Sequence, residues 1–112
     1  MSVIRSDMLR GHVDSIILRL VFEKDRYGYE ISKEISKRTE GKFEIKEATL
    51  YAVFQRLEKK DLITSYFGQQ SQGGKRKYYA ITTLGKAYLK ETMNEWKEMK
   101  EILNLFMEGL DS

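Results

Sequence analysis

The stretch Glu47-Ala-Thr-Leu-Tyr-Ala-Val-Phe-Gln-Arg-Leu-Glu58, followed by Leu62-Ile63 and then by Gln72-Gly-Gly-Lys-Arg-Lys-Tyr-Tyr79, decides how this chain is read. Leu50, Phe54 and Leu57 recur at intervals of four and three with Val53 beside them, so one side of a helix from about Glu47 to Lys60 is apolar. Thr49, Ala52, Gln55, Arg56 and Lys59 are left for the other side. Leu62 to Phe67 and Lys77 to Thr82 are rich in aromatic and β-branched residues, and they flank a polar, glycine-bearing segment from Gly68 to Arg76. Such a pattern predicts a β-hairpin with a flexible basic tip. A helix with a polar face free to enter a groove, next to a cationic hairpin, is the layout of a winged helix-turn-helix module that binds duplex DNA.

The flanking segments fit around that unit. Leu9, Val13, Ile16, Ile17, Leu20 and Val21 mark an amphipathic helix from about Ser6 to Glu23, with Ser6 or Asp7 as its cap. Asp25-Arg-Tyr-Gly28 reads as a turn. A second helix over Tyr29 to Thr39 buries Ile31 and Ile35 and stops at Gly41. Phe43-Glu-Ile-Lys46 alternates apolar and polar residues, which predicts a short strand at the sheet edge. After a cap at Thr82 or Thr83 the last helix is expected to reach Glu108, because Leu84, Tyr88, Leu89, Met93, Trp96, Met99, Leu103, Phe106 and Leu110 keep helical spacing and no proline interrupts them. The expected fold is α+β, mainly α, with a winged helix-turn-helix domain over residues 1–82 and a long C-terminal dimerisation helix over 83–112. One small domain cannot cover so long an apolar stripe, so a homodimer joined through Leu89, Trp96, Met99, Leu103 and Phe106 is expected.

Composition narrows the function. A chain of 112 residues has room for a modest single core. Without Cys and with one His it offers neither a disulfide framework nor a self-sufficient zinc site, and no cofactor is expected. No apolar run approaches the length of a bilayer span and the N-terminal residues lack a signal-peptide core, so a soluble cytoplasmic protein without a membrane partner is expected. The net charge of +3 is uneven: residues 46–77 carry +4 and residues 78–112 carry −2. Concentrated on the helix and hairpin, that charge favours phosphate and makes the affinity salt dependent. No Ser/His/Asp spacing, phosphate-binding glycine loop or carboxylate pair suggests catalysis, so an enzyme is not expected.

Several short motifs, in order, resemble the PadR family of bacterial transcriptional regulators. Tyr27-Gly-Tyr-Glu-Ile31 matches the start of that family's second helix, and Ala48-Thr-Leu-Tyr51 with Arg56-Leu-Glu58 matches its recognition helix. Arg76-Lys-Tyr-Tyr79 with Thr82-Thr-Leu-Gly85 matches the second wing strand and the entry to the last helix. The resemblance implies a homodimeric repressor on a pseudo-palindromic operator. The short form, with one C-terminal helix bearing Trp96, further resembles the subgroup that includes the lactococcal multidrug-responsive repressor, in which paired tryptophans sandwich planar drugs. Three positions depart from these patterns. The family commonly has Gly where this chain has Asp61, and the subgroup's acidic and aromatic neighbours of the tryptophan are here Lys100 and Met93. Asp tolerates the left-handed backbone that Gly would supply there.

The residues placed to touch DNA are Lys46, Thr49 and Tyr51 around the start of the third helix, Arg56 further along it, and Lys75, Arg76 and Lys77 on the hairpin. Tyr51 has core packing as its alternative, Arg56 an ion pair, and the basic hairpin a solvated tip. Trp96 is the only tryptophan, and it either fills a dimer core or stacks a planar aromatic ligand. Met93 would supply a deformable wall for that ligand, Met8 would close the cavity, and Lys100 would disfavour cationic compounds. A winged helix can also serve as a protein-interaction module without an operator; salt-dependent affinity for duplex DNA separates the two readings.

Overall fold

The computed structural model describes residues 9–71 and 74–110; Ser6, Asp7, Met8, Gln72 and Gly73 lie outside them. A 3-10 turn at Arg10–His12 leads into α1 (Val13–Glu23), followed by β1 (Arg26–Tyr27), α2 (Gly28–Arg38), α3 (Glu47–Lys59), β2 (Ile63–Ser71), β3 (Gly74–Ile81) and α4 (Thr83–Met107). The three strands form one antiparallel sheet in the order β1-β3-β2. The expected α+β, mainly helical winged fold is present.

Its core forms where the apolar stripes meet. Ile17, Leu18, Leu20 and Val21 of α1 pack with Ile31 and Ile35 of α2, with Leu50, Val53, Phe54 and Leu57 of α3, and with Leu62, Ile63 and Tyr79. The Phe54 ring stacks on Tyr79 at 3.9 Å between centroids, which ties α3 to the sheet. Each fully buried side chain of this size contributes about 1.5–3 kcal/mol.

Two expectations fail, both around the sheet. Phe43-Glu-Ile-Lys46 is not a strand. The Thr39 hydroxyl accepts the Phe43 amide at 3.1 Å and lies 2.9 Å from the Ile35 carbonyl, so a side chain takes the backbone bond that a strand neighbour would have supplied. Phe43 itself is buried against the core. The third strand is instead Arg26–Tyr27, which the sequence shows as a turn; Arg26 pairs with Tyr79 and Tyr27 with Tyr78. Burial of Arg26 drives this, its Nε donating to the Leu20 carbonyl at 2.8 Å and its Nη2 to Glu23 at 3.0 Å. The hairpin is also longer than its sequence suggests. Pairing continues to Gln70–Lys75 and Ser71–Gly74 beyond an irregularity between Phe67 and Gln70.

The joint between the winged unit and α4 is tight. Thr82 accepts the Gly85 amide at 2.9 Å as the helix cap, and its hydroxyl donates to the Asp61 carbonyl at 2.7 Å. Asp61 takes the left-handed backbone (φ 61°), as its place in the turn requires. A Cβ on Gly85 would stand 2.1 Å from the Leu62 carbonyl oxygen. Only a glycine allows α4 to start here. Beyond that joint α4 runs for 25 residues, about 38 Å at the helical rise. Leu89 packs on the core, but Trp96, Met99, Ile102, Leu103, Leu105, Phe106 and Leu110 are exposed.

Candidate nucleic-acid interface

α2 and α3 form the helix-turn-helix. Tyr51 sets their contact: its hydroxyl lies 2.9 Å from where a Gly28 Cβ would be, and its ring meets Phe54 edge-on at 5.5 Å. It remains 44 % exposed, so one side chain both packs and presents a face. Lys46, Glu47, Ala48, Thr49, Ala52, Gln55 and Lys59 leave a continuous exposed side on α3 while the opposite side is buried. Lys46 occupies the N-cap in extended conformation, and no side chain caps the first turn. Its backbone amides are oriented to meet an oxyanion, with the helix dipole in their favour.

Arg56 takes the ion-pair alternative, reaching back to Asp14 on α1 with Nη2–Oδ1 at 2.5 Å and Nε–Oδ2 at 3.2 Å. The pair clamps α3 to α1. Arg56 is therefore anchored away from the Thr49 end of its helix.

Strand alternation divides the three basic wing residues between two faces. Lys77 leans toward the Tyr79 ring at 5.8 Å, and Tyr79 touches α3. Lys75 has the same parity. Arg76 points the other way and lies over the Tyr27 ring at 4.5 Å, beside a ladder in which Tyr78 stacks on Tyr66 at 5.8 Å and meets Tyr27 edge-on at 5.5 Å. The sequence gives no hint of this tyrosine ladder, since it exists only once the register of β1, β2 and β3 is known.

These features match a model of the PadR-like family of transcriptional regulators over residues 17–91. The chain belongs to that family. It is 47 % identical to a transcriptional regulator from Clostridium thermocellum, over 91 % of this chain and 99 % of that one, with a TM-score of 0.82. A PadR-like regulator from Bacillus cereus is 32 % identical over 92 % and 98 % of the two chains, with a TM-score of 0.80. An uncharacterized protein from Lysinibacillus sphaericus shares 71 % identity over 97 % of this chain and all of its own length. The chain also matches the transcriptional regulator YqjI of Escherichia coli at 29 % identity, spanning 42 % of that longer protein. The PadR-type helix-turn-helix is a DNA-binding unit, formed here by α2 and α3. Among the described residues no helix is long and apolar enough to cross a membrane.

A second feature lies away from the exposed side of α3. An open, largely apolar groove of about 1000 Å³ runs between α1 and α4, and its wall includes Ile16, Leu20, Phe43, Leu89, Met93 and Trp96. Among the described residues, its charged or titratable lining groups are His12, Arg19, Arg38, Lys86 and Lys90, with no carboxylate. Lys100 is not part of the lining; its ammonium sits 5.2 Å from the Trp96 ring centre and covers the indole. Met99, Leu103 and Phe106 continue the α4 surface beyond the groove.

The groove adjoins an ion-pair cluster that fixes the angle between α1 and α2. Glu23 receives Arg38 through both carboxylate oxygens, Arg19 at 3.0 Å and Arg26 at 3.0 Å, while Arg38 also holds Glu34 at 2.7 Å. Hydrogen bonds from Arg38, then those from Arg19 and Arg26, outweigh partial burial and hold the Glu23 carboxyl down at about 2.

Proposed function

We propose that this PadR-type regulator is a homodimeric repressor whose two α3 helices enter successive major grooves of a pseudo-palindromic operator, about one helical turn apart. Residues 1–82 act as the DNA-binding domain and 83–112 as the dimerisation helix. The uncovered stripe on α4 carries this reading: Trp96, Met99, Leu103 and Phe106 are 43–73 % exposed in one chain, which is costly in water and is relieved by a second copy. Lys46 and Thr49 contact phosphate or base edges at the start of α3, Tyr51 supports the backbone contact, and Lys75 with Lys77 neutralise phosphates from the wing. Arg76 reaches a phosphate across the Tyr27 ring, whereas Arg56 contributes by holding α3 in place. Replacing Lys75 and Lys77 with Ala should weaken binding to every duplex and flatten the dependence of log affinity on log salt. An unchanged slope would take the wing out of the interface.

As in the multidrug-responsive subgroup, planar aromatic compounds that enter beside Trp96 and Met93 release the repressor. The charge of the groove refines the ligand: Lys86 and Lys90 favour neutral or anionic aromatics over cationic ones, while Arg19 and Arg38 are already paired with Glu23. Lys100 lies over one face of the indole, and a ring that stacks on that face displaces it. Release requires tighter ligand binding to the free protein than to the DNA-bound one, since equal affinity shifts nothing. The single tryptophan makes fluorescence a direct assay. Neutral planar dyes should quench it, and Trp96→Ala should still bind DNA but lose the response. Equal drug response in Trp96→Ala would confine Trp96 to dimer packing.

A further inference from the structure

Phe67 is a large apolar side chain on the wing strand β2. It is 65 % exposed. Tyr29 is equally exposed, but Lys33 approaches its ring at 5.6 Å. Side chains alternate along a strand, so direction follows from register. Ser65 and Tyr79 are cross-strand partners and both touch α3, Ser65 through Glu58 at 2.8 Å and Tyr79 through the Phe54 ring. Phe67 and Lys77, the partners two residues further out on each strand, share that face, and Lys75 follows. Just beyond Phe67 the strand bulges. β2 uses three residue steps from Phe67 to Gln70 where β3 uses two from Lys77 to Lys75, and a side chain at Gly68 would meet the Tyr78 ring at 2.4 Å. A bulge of this kind turns the hairpin and re-aims the residues beside it.

We propose that Phe67 is a DNA-contact residue, an apolar wedge on the α3-facing side of the wing that packs into the minor groove next to the half-site read by α3. This rests on the DNA-binding reading of the same surface and adds a specificity element to it. The exposed ring stands beside Lys77, its cross-strand partner, and near Lys75, on the side of the sheet that touches the recognition helix. Lysines neutralise the phosphates that line a minor groove, while an apolar ring fits its floor and sugars or wedges into a flexible base step. The contact reads deformability and groove width rather than a hydrogen-bond pattern. It therefore sets a preference for flanking sequence that neither α3 nor a phosphate contact supplies.

The test is selection from a pool of duplexes with a randomised central segment, using the full chain, followed by affinity measurements on the winning duplex across a salt series. Wild type should enrich easily deformed steps in the flanks as well as a core motif. Phe67→Ala should bind that duplex about tenfold more weakly, the factor expected from losing roughly half the burial of a phenyl ring. It should keep the wild-type salt slope and core motif and lose the flanking preference. Phe67→Leu should recover most of the affinity, and Lys77→Ala should lower the salt slope instead. Because Phe67 is exposed, an unchanged melting temperature in Phe67→Ala is expected and checks that the fold is intact. Wild-type affinity and flanking preference in Phe67→Ala would overturn the proposal, as would an acidic protein that protects Phe67 while duplex DNA does not. A wild-type chain without salt-dependent duplex affinity would bring down the DNA-binding reading as well.

Discussion

The winged unit from Val13 to Ile81 and the helix that follows it use apolar residues in opposite ways. In the first, the stripes of α1, α2 and α3 turn toward one another and toward Tyr79, and fifteen hydrophobic side chains are buried. In the second, Gly85 is the one buried residue of α4, and apolar side chains from Met93 to Leu110 remain open. The same periodicity thus produces a self-sufficient core in one region and an incomplete one in the other. Periodicity says that a helix has an apolar face; what covers that face depends on the geometry around it. The winged unit covers its apolar faces from within the chain, whereas α4 leaves most of its own uncovered.

The sharpest contrast comes from one truncation in each region. Leu57→Ala, at a fully buried position, should lower the unfolding free energy by about 2–5 kcal/mol in a chemical denaturation. Leu103→Asp, at a 47 % exposed position, should leave the winged unit's melting unchanged while weakening self-association about a hundredfold, read by light scattering across a concentration series. If Leu103→Asp destabilises the chain as much as Leu57→Ala at concentrations where both are monomeric, the two regions are not distinct.

Next in size is the joint. Gly85→Ala brings a methyl group against the Leu62 carbonyl, which is backbone and cannot swing aside, so about 1–3 kcal/mol should be lost as α4 lifts from the sheet. Thermal denaturation should show it; a wild-type melt would mean that α4 is not seated as described.

The smallest effect tests the ion-pair cluster. Glu23 has its carboxyl lowered from 4.5 to about 2, so its contribution is complete above about pH 4.5 and is lost as the pH falls through about 2. Its side chain keeps 22 % exposure, and solvent screening limits the effect. Glu23→Gln should cost about 1 kcal/mol at neutral pH, with the gap from wild type closing as the pH drops from about 4.5 toward 2. A gap that stays constant over that range would show that the carboxylate's charge plays no part.

Much of this architecture is legible in the residues themselves. Helices announce themselves through Leu50, Phe54 and Leu57 or Ile31 and Ile35, and the Thr82 cap lies where local chemistry puts it; the stop of α2 is shared, since Glu40 (φ 53°) turns left-handed one residue before Gly41 (φ 77°). What escapes is whatever depends on residues far apart. Two residues, Arg26 and Tyr27, carry no strand pattern; they pair because Arg26 is drawn under Leu20 and Glu23. Phe43 to Lys46 has the pattern without the structure because Thr39 captures the backbone first. Arg56 finds a partner 42 positions away, and the division of Lys75, Arg76 and Lys77 between two faces needs the strand register. The basic lining of the groove is scattered over α1, α2 and α4, so no local window of sequence contains it.

The most direct test of the account is the mass of the full chain by sedimentation, alone and on a duplex carrying its selected operator. A chain of 13.2 kDa should sediment as a dimer when free and as two copies per operator when bound, and Leu103→Asp should abolish both. A wild-type monomer that stays folded at high concentration and occupies DNA as a single copy would contradict it.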